Sequence, residues 1–526
     1  MTLSKYIKIA VLGAMCIGLL GGCASTNNEN SSEATSSVSE ETGKTLKIAF
    51  PDMVTTTDPA NVSSATMLKE VAGVCETLVY ADSDFTLQPM LAESWQQTGD
   101  LTWEFKLRED VLFHDGTKLN AEAVKWCLER ESDENSAFKG STFIDSVDVV
   151  DEYTININTT QPTTELPAAL SYVGTAIVAP SSVDESGSFI KAVGTGYFMQ
   201  TDFDESSGKF ICEKFDDYWG DVTTSVTKRV VIPMTDASAR SLAVQNGEVD
   251  IASDIPFSDL EMLSSSDTVN VSKFNTARTY YYEYNLDGEV LQDENVRKAL
   301  IYAINKEEIV NDVLLGVGGV PKGMLMEEIP WANTDVDTYD YDVEKAKSLL
   351  AEAGYTDTDG DGFVDKNGEK LSLRIISFTK RPGCQLIVQA TQGYFANIGV
   401  DTTVEILDWT AMTEEIAAGN YDMALNSAAS CYMPSPTYYL NTVYVNAENG
   451  YNNEELNSLV SQSLASSDLE EKYALSKEAQ AIGQNDAAIY TVALYGAVFG
   501  LNSSVTNFEY NAAAHDFIVP YNVDLQ

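Results

Sequence analysis

Hydrophobic and polar residues follow two periodic patterns along the chain from about residue 45 to its end. Short runs of β-branched and aromatic residues predict strands, and apolar residues three or four positions apart predict helices. The helical spacing covers residues 295–310 and 343–353, and Asp342 and Gly354 are placed to cap and to end the second helix. Because strand-like and helical patterns are mixed along the chain, the sequence predicts an α/β protein. The predicted strands cover residues 45–50, 102–107, 147–157, 228–233, 280–285, 371–378, 402–406 and 489–499.

The N-terminus follows a different pattern. Two lysines precede an apolar run over residues 9–20, which is too short to span a bilayer but fits a secretory signal. Two glycines and Cys23 follow, an order that resembles the lipobox of bacterial lipoproteins, in which the cysteine thiol receives a diacylglyceryl group. We therefore expect a signal peptide over residues 1–22, a lipidated Cys23 and an extracytoplasmic protein anchored to the cell membrane. The alternative is an ordinary signal peptide, with Cys23 incidental.

Residues 23–44 are rich in Ser, Thr, Asn and Glu and predict a disordered tether that begins at the lipidated cysteine. The chain of 526 residues carries 32 Lys and Arg against 80 Asp and Glu, a formal net charge of −48. This charge repels phosphate backbones and argues against nucleic acid as a partner. The chain has only 2 histidines, which argues against a histidine-rich zinc centre and against a Ser-His-Asp triad.

The cysteines of the mature chain after Cys23 are odd in number, widely spaced and without a C-x-x-C motif. This pattern predicts neither a disulfide framework nor a zinc knuckle. One bridge remains open as an alternative, but we expect buried free thiols. The residues are Cys75, Cys127, Cys212, Cys384 and Cys431.

Several sequence blocks occur in the order found in a known family. They closely resemble the signature of the family 5 extracytoplasmic solute-binding proteins, which serve ABC importers of peptides, nickel and related solutes. Tyr197 stands where the family usually has proline, and Gly194 and Gly196 are expected to adopt turn conformations closed to other residues. The resemblance extends from about residue 45 to the C-terminus. The blocks are LAESW, LTWEFKLR, FHDGT and AEAVK within residues 91–125, VGTGYF at 193–198, FDDYWG at 215–220, NGEVD at 246–250 and VRKALIYAINK at 296–306.

The resemblance implies an α/β fold with two lobes and a hinge between them, a type II periplasmic-binding-protein-like fold of the large three-domain kind. Residues 280–285 would form one of the strands that cross between the lobes. Solute contacts would be complete only when the lobes close. The implied division is domain I at residues 45–80, 194–285 and 491–526, an inserted domain II at 81–193, and domain III, the second lobe, at 286–490.

The resemblance also implies a function: a lipid-anchored substrate-binding component of an ABC importer, without catalysis and without a cofactor. We expect a monomer whose partners are a small solute, the permease subunits of the importer and, through its lipid, the membrane. Two alternatives remain open. One is a secreted hydrolase that uses paired carboxylates, and the other is a receptor that passes its ligand to a sensor.

The loop over residues 426–440 bears on the identity of the solute. In peptide-binding relatives, the corresponding loop supplies an aspartate for the α-ammonium of the peptide, but here it contains no acid. Because a buried ammonium without a carboxylate partner is costly, the usual peptide mode is weakened. The loop looks more like that of the nickel-binding branch. We expect an oligopeptide, a nickel chelate or a similar carboxylate-bearing solute, with Ser430, Tyr432 and Tyr438 as candidate contacts.

Arg381 and Trp409 are further candidate contacts with the solute. Arg381 lies in the segment SFTKRP at residues 377–382, which resembles the Y-x-x-R-P of the nickel-binding branch. A guanidinium matches a carboxylate in geometry, so Arg381 is expected either to bind a solute carboxylate or to pair with an acid of the protein. Trp409 is expected either to stack in the cleft or to fill the core. A metal, if carried, is expected inside an organic chelator.

Asp357, Asp359 and Asp361 form a motif that resembles part of a calcium loop. Oxygen donors stand at positions 1, 3 and 5 and a glycine at position 6, but position 12 is Gly368 in place of an acid. The three aspartates are therefore candidate ligands of a structural Ca²⁺. The alternative is a solvated connection between a helix and a strand.

Overall fold

The computed structural model of the protein describes residues 43–431 and 433–526. The expected signal peptide, the lipidated Cys23, nearly all of the tether and the candidate contact Tyr432 lie outside the described residues. In the part of the chain that is described, no helix has both the length and the hydrophobicity that a membrane crossing requires.

The strands are numbered β1 to β20 in chain order. They are Lys44–Phe50, Val79–Ala81, Leu87–Pro89, Ala92–Gly99, Thr102–Leu107, Ile144–Asp151, Thr154–Thr159, Phe198–Asp204, Lys209–Lys214, Val226–Pro233, Ile251–Ser253, Val269–Tyr284, Asp365–Lys366, Glu369–Lys370, Ser372–Phe378, Asp401–Leu407, Met423–Ala429, Ile489–Asn502, Val505–Thr506 and Asp524–Leu525.

The α-helices are numbered α1 to α14. They are Val62–Thr66, Ala121–Glu134, Ser136–Thr142, Leu166–Ala169, Ala237–Gln245, Leu260–Ser264, Glu294–Tyr302, Lys306–Glu308, Val343–Glu352, Pro382–Asn397, Trp409–Ala417, Tyr438–Leu440, Glu454–Ala465 and Leu469–Asn485. Short π-helical turns continue α1, α8 and α12 over Met67–Ala72, Ile309–Val313 and Asn441–Val445, and 3₁₀ turns occur at Val173–Thr175, Pro180–Ser182 and Phe257–Asp259.

One large sheet runs through the described body of the protein, with ten strands in the order β16-β15-β17-β12-β18-β11-β1-β10-β9-β8. It contains two parallel groups: β1 pairs in parallel with β10 and β11, and β15 with β16 and β17. The long strands β12 and β18 lie between the groups and pair antiparallel with each other and with their outer neighbours. Each parallel group belongs to one lobe, and β12 and β18 cross between them. The two-lobed α/β fold that the resemblance implied is confirmed.

A separate antiparallel sheet, in the order β4-β5-β7-β6, forms within residues 92–159. Alternate residues of these strands are buried, among them Phe105, Val147 and Ile155, and α2 packs against β6. The period of two between buried and outward residues is typical of a sheet with one covered face. The indole Nε1 of Trp103 donates to the carbonyl of Thr163 at 3.0 Å and ties this sheet to the segment that follows it.

Two elements that the pattern predicts as continuous are divided in the structure. Residues 147–157 form two strands, β6 and β7, because the carboxylate of Asp151 accepts from the amide of Tyr153 at 3.0 Å and holds a turn. Residues 295–310 form α7 and α8, since the side chain of Asn305 accepts from the amide of Glu308 at 3.1 Å and caps a new helix. Both breaks come from side-chain oxygens that compete for backbone donors.

Other sequence expectations are confirmed. The helix predicted over 343–353 is α9, where the Asp342 carboxylate accepts from the amide of Lys345 at 2.8 Å and Gly354 has a φ of 91°. All five cysteines beyond residue 42 are buried free thiols. The reason for glycine at positions 194 and 196 differs from the prediction, however. A Cβ on Gly194 would lie 2.1 Å from the carbonyl oxygen of Val74, and one on Gly196 would lie 2.3 Å from that of Gly73, so close backbone approach, and not a positive φ, requires glycine.

Candidate functional site

The carboxyl ends of the parallel strands in both lobes face the cleft between the lobes. Asp52 follows β1 and Asp254 follows β11 in one lobe, and Arg381 follows β15 in the other. In open parallel sheets, this is the edge at which ligands bind, because the loops after the strands converge there. The sheet therefore brings acids of one lobe opposite a base of the other.

Arg381 lies in a buried group of charges, which we call the arginine cluster: Arg278, Arg381, Asp254 and Asp516. The side chain of Arg381 is only 7% exposed, and its guanidinium lies 2.9 Å from Asp516 and 3.3 Å from Asp254. Arg278 approaches the same oxygen of Asp516 at 3.5 Å. Two guanidiniums therefore share one carboxylate oxygen. Of the two alternatives for Arg381, pairing with acids of the protein is present in the structure.

Arg278 makes its closest polar contacts with the backbone. Its guanidinium, on β12, donates to the carbonyls of Ser427 at 3.2 Å and of His515 at 3.1 Å. The segment that carries Asp516 is fixed by Glu70, whose carboxylate accepts from the amides of His515 at 2.7 Å and of Asp516 at 3.1 Å. The cluster is thus built on a crossing strand and on a C-terminal segment that Glu70 holds in place.

Burial and neighbouring charges act in opposite directions on these groups. Burial alone would lower the pKa of Arg381, but the nearby acids, Asp516 foremost, raise it above its ordinary value. Burial would raise the pKa of Asp516, but Arg381, His515 and Arg278 hold it well below its ordinary range. The pKa of Arg278 is lowered, first by burial and then by the positive charge of Arg381. Asp516 and Asp254 act in the opposite direction on Arg278 and compensate part of this repulsion.

Two cavities meet at Arg381. A small cavity of 20 Å³ is lined by the four residues of the arginine cluster together with Tyr495 and His515. A cavity of 760 Å³ opens on the other side of Arg381 and is lined by both lobes. Lys380 and Asp52 both line this larger cavity and form an ion pair at 2.8 Å. The larger cavity has the size expected of a pocket for a small solute.

Two further cavities lie nearby. Tyr510 is in the wall of the small cavity and also in the wall of a cavity of 400 Å³, where it is joined by Tyr80 and Tyr521. A fourth cavity, of 430 Å³, is lined by Glu165 and by Tyr438, one of the candidate contacts. Aromatic rings with polar tips thus line the surroundings of the arginine cluster.

The other candidate contacts occupy different environments. Trp409 begins α11, is 51% exposed, and meets Phe378 edge to face with ring centroids 5.0 Å apart. It is absent from the walls of the four cavities. Ser430 is fully buried, and its hydroxyl donates to the carbonyl of Ala277. Of the candidate contacts, Arg381 and Tyr438 line cavities, whereas Trp409 is exposed to solvent.

The three aspartates of the calcium-like motif lie together at the surface. Their carboxylate oxygens are within 4.8 Å of one another, and within the described ranges they are the only cluster of His, Cys, Asp and Glu with metal-ligand spacing. The carboxylate of Asp357 accepts from the amide of Gly360 at 2.7 Å, and Asp361 pairs with Lys370. These hydrogen bonds shape the loop itself.

Sequence reasoning missed three members of the arginine cluster. Arg278 stands two residues before the predicted strand 280–285, so a search for basic residues beside a crossing strand would have found it. Asp254 and Asp516 belong to no motif. They lie 127 and 135 residues from Arg381 in sequence, so only the fold joins them.

Comparisons with known proteins agree with this architecture. The model of the bacterial extracellular solute-binding proteins, family 5, matches residues 86–451. The glutathione-binding protein GsiB of Salmonella typhimurium is 27% identical over 469 residues, which cover 84% of this chain and 86% of that protein. The family match includes the crossing strand β12 and the parallel strands β15, β16 and β17.

Solved structures are also similar. A nickel ABC transporter protein from Bacillus halodurans is 28% identical with a TM-score of 0.75, and the match covers 92% of this chain and 100% of that one. NikA from Brucella suis in complex with Fe(III)-EDTA has the same fold at 22% identity, with a TM-score of 0.83 and the same coverage. The chain belongs to the bacterial extracellular solute-binding proteins, family 5, which are substrate-binding components of ABC importers.

Proposed function

We propose that the protein is a lipid-anchored extracytoplasmic receptor that captures a small carboxylate-bearing solute between its lobes and delivers it to the permease subunits of an ABC importer. The observation that carries the proposal is the convergence of Arg278 and Arg381 in the cleft between the lobes. The solute class is a short peptide, or a metal chelate whose organic part carries carboxylates.

The arginine cluster favours a carboxylate. A guanidinium binds a carboxylate through two parallel hydrogen bonds, and burial strengthens each of them. Arg278 and Arg381 share one oxygen of Asp516, and Arg278 has its pKa lowered by burial and by Arg381. A solute carboxylate would compete with Asp254 and Asp516 for the donors of these guanidiniums.

The same cluster offers partners for an ammonium group. Asp254 and Asp516 are buried beside the arginines, whereas the loop over 426–440 has no acid. We propose that these two aspartates take the role of the missing loop acid for a zwitterionic solute. Glutathione, which the Salmonella relative binds by its name, carries both carboxylates and an ammonium, so it is a suitable first probe.

A metal ion would enter as a chelate. Within residues 43–431 and 433–526, the acidic loop at Asp357, Asp359 and Asp361 is the only cluster with metal-ligand spacing, and it lies at the surface. The 28% identical protein from Bacillus halodurans is described as a nickel transporter. A carboxylate of an organic chelator would bind Arg381, which lines the cavity of 760 Å³, and the metal itself would need no protein ligand.

We further propose that Cys23 carries the lipid and that the solute is bound without turnover. The sequence around Cys23 resembles a lipobox, and the segment up to residue 44 is polar enough to serve as a tether. Cys23→Ser should abolish labelling by a radioactive fatty acid and release the protein from the membrane fraction. Membrane retention of the variant would contradict the anchor.

Capture itself is tested by calorimetry on the mature chain without its lipid. The probes are glutathione, unblocked tripeptides and Ni(L-His)₂, each compared with a form in which the carboxylates are amidated. We expect saturable one-to-one binding of a carboxylate probe, a decrease in the radius of gyration, and recovery of the probe intact. Mass spectrometry of solutes that co-purify extends the panel. Equal binding of amidated forms, or cleavage of the probe, would contradict the proposal.

A further inference from the structure

Glu165 joins two parts of the chain and lies in the wall of the cavity of 430 Å³. It lies in the segment after the four-stranded sheet, is 9% exposed, and its carboxylate accepts from Thr437 at 2.7 Å and from the hydroxyl of Ser435. The ammonium of Lys472, 5% exposed on α14, lies 3.4 Å from the same carboxylate. Lys472 also donates to Thr164. We call these five residues the glutamate cluster.

The glutamate cluster fixes the segment 433–438. The hydroxyl of Ser435, which donates to Glu165, accepts from the amide of Tyr438 at 3.0 Å. From α14, the hydroxyl of Ser476 donates to the carbonyl of Pro436 at 2.9 Å. The segment is thus held from both sides, and Tyr438 is placed in the wall of the cavity of 430 Å³.

Thr164 extends the same contact to a second segment. Its hydroxyl donates to the carbonyl of Ser466 at 2.8 Å, and its amide donates to the carbonyl of Leu464 at 3.4 Å. The sheet β4-β5-β7-β6 precedes Thr164, whereas Ser466 connects α13 to α14. The contact therefore joins the segment after the four-stranded sheet to the connection between α13 and α14.

We infer that Glu165 is a positioning residue for solute capture. Its carboxylate fixes the segment 433–438, and its contacts with this segment and with Lys472 hold residues 81–193 against the second lobe when the protein closes. This inference rests on the proposed function, because it assigns a closure contact to the same cleft. Its donors all come from the protein, so Glu165 acts on affinity without a contact to the solute.

The physical reason lies in the balance of buried charge. In the structure, Glu165 and Lys472 are both buried, and their pairing compensates for the lost hydration. In an open form, both groups would be hydrated and the segment 433–438 would lose its carboxylate acceptor. A contact that exists only in the closed form shifts the population toward closure and raises the apparent affinity of any solute.

Substitutions of Glu165 and Arg381 should differ in their effect on the ratio of affinities between solutes. Glu165→Gln leaves Lys472 buried without a charged partner, so it disfavours closure for every solute by the same factor. We expect about 10-fold weaker binding of glutathione and the same loss for each other probe that the protein binds. Arg381→Lys would change the ratio between a carboxylate probe and its amide.

Three variants make the test specific. Glu165→Gln combined with Lys472→Met removes both charges, so the double variant should recover most of the lost affinity. Glu478→Gln, at an exposed position on the same helix as Lys472, is the matched control and should bind like the parent protein. Melting temperatures of the solute-free proteins identify any variant that fails to fold.

A solute-free measurement keeps the inference independent of the proposed function. Gln97→Cys and Ser467→Cys place thiols at two exposed positions that line one surface cavity, and the native cysteines of the described residues are buried. We expect a short bismaleimide to link this pair more slowly when Glu165→Gln is present. Unchanged crosslinking and unchanged affinity in Glu165→Gln would overturn the inference, as would a loss that differs between solutes. Failure of every carboxylate probe to bind the parent protein would overturn only the proposed function.

Discussion

The arginine cluster and the glutamate cluster are two buried ionic contacts of one protein, and they are built differently. In the arginine cluster, two guanidiniums and two carboxylates meet between a crossing strand, the second lobe and the C-terminal segment. In the glutamate cluster, one carboxylate faces one ammonium and hydroxyl donors. The first lies between cavities of 20 and 760 Å³, whereas the second lies at the side of a cavity of 430 Å³.

This difference separates recognition from closure. Both clusters are balanced in formal charge, but they differ in their access to a solute. Arg381 lies in the wall of the cavity of 760 Å³, where a solute carboxylate can reach its guanidinium. In the glutamate cluster, the carboxylate is paired with Lys472 and with hydroxyls of the protein. We expect the first contact to select the solute and the second to hold two segments together.

The largest effect is expected from Arg381→Ala. The variant loses the guanidinium for the solute and leaves Asp254 and Asp516 with less compensation. We expect binding of the carboxylate probe to weaken by at least about 100-fold, and the melting temperature to fall as well. Arg374→Ala is the matched control, because Arg374 lies on β15, the strand that precedes Arg381, and pairs with Glu405 and Glu415 at a partly exposed position. Calorimetry that finds equal losses in the two variants would contradict a specific role for Arg381.

Glu131 is a further buried acid, and its charge is only partly compensated by neighbouring groups. The side chain of Glu131 is buried and accepts from Arg130 at 2.8 Å, but its Oε2 has no hydrogen-bond partner among the described residues. Burial raises the pKa of Glu131 from 4.5 to about 8. Because the folded pKa is raised, the acid is neutral and costs little below pH 4.5, and the cost grows as the pH rises toward 8.

Glu131→Gln therefore should stabilise the protein in alkaline solution. We expect a gain in the free energy of unfolding of about 2 kcal/mol at pH 9 and no gain near pH 4.5. Urea denaturation at the two pH values measures the difference. A gain that does not depend on pH would mean that packing, and not the charge, decides the effect.

A smaller effect is expected at the rim of the cleft. Lys380 and Asp52 also pair across the lobes at 2.8 Å, but the lysine side chain is 41% exposed. Exposed ion pairs contribute little, so Lys380→Ala should weaken solute binding by less than about 3-fold. A loss similar to that of Arg381→Ala would show that burial does not distinguish the two contacts.

The smallest effect concerns the acidic loop. Its aspartates are exposed, accept from backbone amides of the loop and, at Asp361, pair with Lys370. We expect millimolar Ca²⁺ to change the melting temperature by less than about 1 °C, because a solvated loop offers no strong site. A saturable stabilisation that Asp359→Asn removes would identify a structural calcium site instead.

Local sequence patterns predict much of the fold. The strand predicted over 102–107 is Thr102–Leu107, and the helix from 343 begins after its predicted cap. The crossing strand β12 begins at Val269, well before the predicted residue 280, and most of its first half is polar and exposed or only half-buried. Pairing with β18, and not local hydrophobicity, makes this half a strand.

The site follows from the sequence only in part. A motif resemblance points to Arg381, because the arginine stands at the end of a predictable strand. The partners of Arg381 and Glu165 come from distant segments: Glu165 and Ser435 are 270 residues apart. No local rule pairs such residues, since the two-lobed topology alone sets their distance. The burial of Ser430 has the same origin, because its hydroxyl meets a carbonyl of β12.

One titration tests the central claim most directly. Glutathione and its fully amidated form are titrated into the mature protein and into Arg381→Lys, which keeps a positive charge but loses the two-pronged geometry. The account predicts at least about 30-fold tighter binding of the carboxylate form by the parent protein, and a ratio below about 5 in the variant. Equal affinities in the parent protein, or an unchanged ratio in Arg381→Lys, would contradict it.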